Sequence, residues 1–402
     1  MRPVASRMSV MSGEGALTIF ARAKELERSG RSIIHLELGE PDFHPAKPVN
    51  DALKRAIDEG KDRYCPVAGL PVLREALAAY LRETRNLNIP AQNIVIAPGC
   101  KIALFMAMMA LIDPGDEVLY PDPGFPGYAS ITLGLGGVPV PFVLSGKNHL
   151  QPDPKEVAAK ITPRTKVLIT NSPGNPTGTV YTDEVQRQLA ELAVKHDLLV
   201  LSDEIYARII YGGSYKSPSY TSMMTYPGME ERTLSIDGFS KSFAMTGWRL
   251  GYATAPARIF PALDLLAVNT YTCVAEFSQD GAIEALRDRE GATPRMVGEF
   301  AKRREQFIRD LNRVPGFRCE APEGAFYAWV DISEAGMSAE EICRIMLEEA
   351  GVAAIPGAAF GRAGADYVRF SFASSTAVLK EAVERILRVS SAWQGAAAGL
   401  SR

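Results

Sequence analysis

No stretch of this chain approaches the ~20 consecutive apolar residues that a membrane-spanning helix requires. The opening segment, MRPVASRMSVMSGEG, lacks the apolar core of a secretory signal. Histidine is scarce, with four scattered over 402 residues, so a histidine-rich metal site is not expected. The five cysteines (Cys65, Cys100, Cys273, Cys319, Cys343) are odd in number and show no paired spacing. They read as reduced thiols in the cytoplasm rather than as a disulfide framework or a zinc site. Basic residues are not in excess either: 44 Lys and Arg face 47 Asp and Glu, for a net charge of −3. Neither nucleic acid nor an acidic membrane surface is expected as a partner. No internal repeat is visible.

What is present is ordinary for a globular protein: 47% hydrophobic and 23% charged residues. The length suggests roughly two to three domains at about 150 residues each. Residues 1–12 read as a loose arm, Ala16 to Leu26 as a helix ended by Gly30, and Ile33 to Leu38 as a strand. Helices over Asn50 to Asp58 and Pro71 to Arg82 lead into alternating short units. Strands are expected at 94–96, 117–120, 167–170 and 198–201, with helices over 102–111 and 183–196. Thr182 is the expected N-cap of the second, whose apolar stripe is Val185, Leu189, Leu192 and Ala193. Such alternation argues for a mostly parallel sheet with helices on both faces. Beyond Tyr252 the pattern changes to a long charged helix (Pro294 to Leu311) and a capping box at Ser338-Ala339-Glu340-Glu341. An alternating strand (Tyr367 to Phe372), a helix over Val378 to Leu387 and a frayed tail, GAAAGLSR, complete the chain.

The stretch that organises the chemistry is Gly238 to Tyr252, GFSKSFAMTGWRLGY. Lys241 sits between Ser240 and Ser242, just after a short apolar strand, Thr233 to Asp237. A lysine shielded from water there has a destabilised ammonium, and its amine becomes nucleophilic near neutral pH. Arg249 adds a planar cation suited to a phosphate. The plainer reading is a solvated lysine and an ordinary ion-paired arginine, and these two residues alone do not decide between them.

The segment Lys-x-x-x-Met-Thr-Gly-Trp-Arg-Leu-Gly resembles the cofactor-lysine segment of class I, aspartate aminotransferase-like enzymes. These are pyridoxal 5′-phosphate (PLP) enzymes of fold type I, and the resemblance runs from about Leu36 to Phe372. It implies an α/β large domain, a mostly parallel sheet sandwiched by helices, with a smaller α+β domain built from both termini. The expected division is an arm and part of the small domain at 1–45, the PLP-binding domain at 46–290, and the C-terminal small domain at 291–402.

The same resemblance distributes roles. For the phosphate it names the backbone of Cys100 and Lys101 in Pro98-Gly99-Cys100-Lys101, with Arg249 and with Tyr64 reaching across a dimer interface; Ser240 is expected among the cofactor-binding residues. A helix start after glycine suits an anion in any case, although such turns are common. One departure is visible: the family often has serine three positions before the lysine, where this chain has Gly238. Asp203 is assigned to the pyridine nitrogen, Tyr206 and Asn175 to the phenolic oxygen, and Phe125 to stacking on the ring. Arg369 is the clamp for the substrate α-carboxylate, with Asn175 and the backbone of Gly39 beside it. Taken singly, Asp203 and Phe125 read rather as an exposed strand-end aspartate and a core phenylalanine, while Asn175 also reads as a turn asparagine and Arg369 as a salt-bridged arginine. A cis bond at Asn175–Pro176 also follows from the resemblance.

The implied function is an aminotransferase moving an amino group between an L-amino acid and a 2-oxo acid such as 2-oxoglutarate, through a Schiff base on Lys241. A β-lyase on the same scaffold is the alternative. A PLP-sensing regulator would need a DNA-binding domain ahead of Leu36, and no basic recognition helix is seen there. Some relatives use a lysine at position 101 for a substrate's distal carboxylate, which points to aspartate- or glutamate-like donors or to broad specificity. Against this stands Glu14, which near the substrate end would repel a second carboxylate.

Overall fold

The computed structural model describes residues 4–212, 220–288 and 291–390; the expected tail at 395–402 lies outside them. Helix α1 (Gly15–Arg28) and the two-residue strand β1 (Ile34–His35) come first. Helices α2 (Lys47–Asp58) and α3 (Pro71–Arg85) each carry proline in the first turn, where its missing N–H leaves no helical bond unmade. Strands and helices then alternate: β2 (Ile94–Ala97), α4 (Cys100–Leu111), β3 (Glu117–Asp122), α5 (Gly127–Gly134), β4 (Val138–Val143) and α6 (Pro154–Ala159). They continue as β5 (Thr165–Asn171), α7 (Asp183–Lys195), β6 (Leu199–Asp203) and β7 (Thr233–Gly238). Strand β8 (Gly251–Thr254) is followed by helices α8 (Phe260–Thr270), α9 (Glu276–Arg287) and α10 (Ala292–Leu311). The final segment holds β9 (Tyr327–Asp331), α11 (Ala339–Ile345), β10 (Val352–Ala353), β11 (Ile355–Pro356), β12 (Tyr367–Ser371) and α12 (Thr376–Val389).

Seven strands form the main sheet in the order β2-β8-β7-β6-β5-β3-β4. Only β8 runs against its neighbours; the rest are parallel. Sheets of this type are covered on both faces, and the apolar runs in β5 and β6 are accordingly buried nearly throughout. Parallel direction brings the C-terminal ends of β2, β5, β6 and β7 to one edge, where such sheets hold their ligands. Helix α7 starts as expected, with Thr182 Oγ accepting the Val185 N–H at 3.2 Å.

A buried ion cluster fixes that edge from behind. Arg85, the last residue of α3, donates to Glu204 at 2.6 Å and also to Asp237. Tyr252 donates to the same Asp237 carboxylate at 2.9 Å. These carboxylates flank the ends of β6 and β7, so Arg85 sets the relative position of Asp203 and Gly238. Deleting one partner of a buried cluster like this leaves uncompensated charge, at a cost of about 3–5 kcal/mol.

Two small sheets join the chain's ends: β1 pairs in parallel with β10, and β12 lies between β11 and β9. The expected strand over 33–38 is kept to two residues. Past His35 its carbonyls turn to other partners, Leu36 O to the Ser371 N–H at 2.7 Å and Glu37 O to the Arg369 side chain. The expected loose arm is docked: Ser6–Ser9 forms a 3₁₀ turn, and the backbone of Ser12 makes two bonds with the Ser130 hydroxyl on α5. No helix among the described residues is long and apolar enough to cross a membrane.

Candidate active site

A cavity of about 430 Å³ opens at the C-terminal edge of the main sheet, and the β12 face and the start of α1 complete its wall. Lys241 reaches into it from the loop after β7, and its Nζ donates to Gly39 O at 2.5 Å. Burial pushes its amine down to about 8, and the Arg369 and Arg249 charges act in the same direction. The strand-end setting disfavours the ammonium and leaves more of the amine neutral near pH 8.

Beside it, Gly99 ends the turn from β2 into α4 with φ +87°. A Cβ there would lie 2.4 Å from Arg249 Nη2, so glycine alone lets the guanidinium lie against the helix start. The helical bonds begin with Ile102 and Ala103 donating to Gly99 O, which leaves the N–H groups of Cys100 and Lys101 ahead of them. Arg249 adopts a left-handed backbone (φ 55°) and is held by Nη1 donating to Thr246 O at 2.9 Å. Free N–H groups, a guanidinium and the adjacent Ser240 make a site for an anion. The departure at Gly238 has a local cause. A Cβ there would fall 2.7 Å from Cys100 Sγ and 2.7 Å from Gly251 Cα, so the Cys100 thiol fills the space a serine would need.

Across the cavity, Asp203 ends β6 with a buried carboxylate. Tyr128 Oη donates to Oδ2 at 2.7 Å and the Ile205 N–H to Oδ1 at 3.3 Å. Burial outweighs these bonds and pushes the carboxyl up to about 6. A cation facing Asp203 would favour its ionised form. Phe125 packs edge-on against Tyr128, with ring centroids 5.5 Å apart. Asn171, at the end of β5, donates to Asp203 O at 3.1 Å and accepts the Asn175 N–H at 2.9 Å.

The opposite end belongs to Arg369 of β12. Arg369 is buried, and of the strand face it shares with Tyr367 and Ser371 it is the residue that lines the cavity. Its guanidinium lies 4.4 Å from the Tyr327 ring centroid and 4.7 Å from that of Phe360. Nη1 donates to Asn175 Oδ1 at 2.8 Å, Nη2 donates to Glu37 O, and Nε is buried without a protein partner. An unpaired buried N–H beside a fixed guanidinium suits an incoming carboxylate. Tyr206 Oη and Tyr327 Oη are hydrogen-bonded at 2.6 Å. Gly39 is needed here too, because a Cβ on it would meet Tyr327 Oη at 2.0 Å. The Asn175–Pro176 bond is cis.

The structure therefore gathers Gly39, Cys100, Lys101, Phe125, Asn175, Asp203, Tyr206, Ser240, Lys241, Arg249 and Arg369 around one cavity. It does not bring Tyr64 there: that side chain is 88% exposed on its own chain. Asn171, Tyr128 and Tyr327 were not singled out from sequence, although Tyr128 lies three residues after Phe125. The group these residues fit has a dianionic phosphate, a basic ring nitrogen and an aldehyde. An anion cradle, a buried carboxylate and a water-shielded amine meet those needs, and PLP carries all three features.

A model of the aminotransferase class I and II family matches residues 31–386. The chain belongs to this family. It is 38% identical to an aspartate aminotransferase of Pyrococcus horikoshii, over 95% of this chain and 96% of that one. It is equally 38% identical to an aspartate/prephenate aminotransferase of Thermus thermophilus, over 97% and 99% of the two chains. The solved structure of an aspartate aminotransferase from Thermus thermophilus with maleate superposes with a TM-score of 0.91 at 37% identity, covering 97% of this chain and all of that one. Family members of this kind are PLP-dependent transaminases, and the fold and reaction class anticipated from the lysine segment are those of the family.

Proposed function

We propose that this aminotransferase binds PLP with Lys241 at the aldehyde and takes aspartate- or glutamate-like donors within a broad range, with 2-oxoglutarate as acceptor. The observation that carries the reading is the convergence of a water-shielded Lys241, the buried Asp203 and an Arg369 with an unpaired Nε on one cavity. In this assignment the N–H groups of Cys100 and Lys101, with Ser240 and Arg249, hold the phosphate. Asp203 faces the ring nitrogen, Tyr206 and Asn175 face the phenolic oxygen, and Phe125 packs on the ring. Arg369, with Asn175 and the Gly39 backbone, holds the substrate α-carboxylate. When bound, PLP supplies an electron sink for the carbanion that deprotonation of the donor's Cα creates. Arg369 orients the donor so that its Cα–H faces Lys241. With PLP bound, Lys241 Nζ would be the base that takes the Cα proton and holds it for return. Tyr327 and Phe360 keep water from the guanidinium, which strengthens its hold on a carboxylate.

Lys101 carries the substrate reading. It lines the cavity, its Nζ lies 5.8 Å from the Phe125 centroid, and an ammonium there can meet a second carboxylate. The relatives' names, with aspartate and prephenate, and the maleate in one related structure agree with acidic substrates. A panel of amino-acid donors with 2-oxoglutarate tests this, and aspartate or glutamate should rank among the best. Lys101→Ala should lower kcat/KM for aspartate by about 10- to 100-fold, the loss of one charged contact, while alanine changes little. Equal losses for both donors would move Lys101 to the cofactor.

The domain division proposed is 46–290 for the large unit and 1–45 with 291–402 for the small one; the β1–β10 pairing between the two ends supports it. The working unit proposed is a cytoplasmic homodimer with shared sites, because an exposed Tyr64 has no role within its own chain's cavity. Tyr64→Ala and Lys241→Ala chains, each inactive, should regain activity when mixed under subunit exchange, since the hybrid carries one intact site. Demonstrated exchange without recovery would remove Tyr64 from the partner's site.

A further inference from the structure

The ammonium of Lys101 already has a carboxylate on it. Glu14, the residue immediately before α1, accepts a hydrogen bond from Lys101 Nζ, and both side chains line the cavity. Glu14 makes no capping bond to its own helix, so its carboxylate is committed to the cavity rather than to α1. Ala16 and Leu17 of the same segment continue the wall. The Glu14 charge also acts on Arg369 and Tyr327, which places it in the field of the α-carboxylate clamp. A donor held by Arg369 therefore shares one cavity with the Lys101–Glu14 pair.

We propose that Glu14 is a specificity-determining residue: an internal carboxylate that occupies Lys101 in place of a substrate's distal carboxylate and must be displaced by dicarboxylic donors. This rests on the reading of Lys101 given above. A neutral donor leaves the pair closed and meets a wall with no net charge at that end. A dicarboxylic donor exchanges one carboxylate for another on the same ammonium, so its gain is reduced by the loss of Glu14. The pair is half-exposed, with side-chain exposures of 54% for Lys101 and 28% for Glu14, so the internal bond is weak enough to be broken by a substrate. The consequence is a site that accepts both acidic and neutral donors, with the acidic preference held down by Glu14.

The test uses the PLP-loaded protein, with the first half-reaction measured separately for aspartate and alanine so that the acceptor does not enter. Binding of succinate and of butyrate, an unreactive dicarboxylate and its monocarboxylate counterpart, is measured by calorimetry. Glu14→Gln should raise the aspartate-to-alanine ratio of kcat/KM by about tenfold and tighten succinate over butyrate by a similar factor. In a Lys101→Ala background, Glu14→Gln should produce neither gain. A ratio and a succinate preference that stay within about twofold of the parent's would overturn the role of Glu14; so would gains that persist without Lys101. Absence of amino transfer from every donor would instead remove the functional reading, and succinate binding would still decide on Glu14.

Discussion

Lys241→Ala should lower transamination by about 10⁴-fold, the upper end of what one positioned acid–base group contributes. With its amine pushed down to about 8, Lys241 is about 9% neutral at pH 7, against about 0.03% for a lysine titrating at its ordinary 10.5. No substituted water or neighbouring hydroxyl supplies a base of that strength at the same place. Among the described residues Lys241 donates one hydrogen bond, to Gly39 O, and its loss leaves the buried Arg85 cluster intact, so the variant should fold and melt near the parent. The sign of the pH effect follows. Because the amine is depressed, its neutral fraction rises as pH passes through about 8, and cofactor loading of the apoprotein should accelerate from pH 7 to 9 and then level off. Loading that keeps climbing toward pH 10.5 would mean that Lys241 is not shielded.

Asp203→Asn should still bind PLP but turn over about 10²- to 10³-fold more slowly, the effect of removing one partner of a buried ion pair. An amide is neutral and cannot hold a proton on the ring nitrogen. The carboxyl of Asp203 is pushed up to about 6 by burial, so it is ionised above that pH and protonated below it. Cofactor affinity of the parent should weaken as pH falls through the region of 6 and below, while the Asn variant should show a flatter profile. Turnover near the parent's would assign the ring nitrogen to another residue. Tyr128, which donates to the same carboxylate, should show a smaller effect as phenylalanine, because Ile205 still donates to Asp203.

The elements and residues legible in the sequence share one property: their signals are local. Thr182 ahead of an apolar stripe, Gly99 before α4 and the lysine after β7 each report their own surroundings, and the structure places them accordingly. Helix α8 was not legible because FPALDLLAVNT is apolar on too many sides to show a stripe. The strand over 33–38 was overread because its apolar pattern does not show that Leu36 and Glu37 bond to β12, more than three hundred residues away in sequence. Arg85 is the plainest case. At a helix C-terminus an arginine ordinarily reads as solvated, and its burial depends on Glu204 and Asp237 from two later strands. Tyr327 and Asn171 were missed for the same reason, since each acquires its place only when β9 and β5 bring it against Tyr206 or Asn175. Tyr64 is the converse: nothing within one chain gives it a partner in the cavity.

The central claim is that Lys241 is the residue that carries the cofactor. Borohydride reduction of the PLP-loaded protein, followed by digestion and mass spectrometry, measures this directly. The account predicts a single phosphopyridoxyl-modified peptide, with the modification on Lys241. Modification of any other lysine in its place, or a reduced protein that retains no cofactor on the chain, would contradict it.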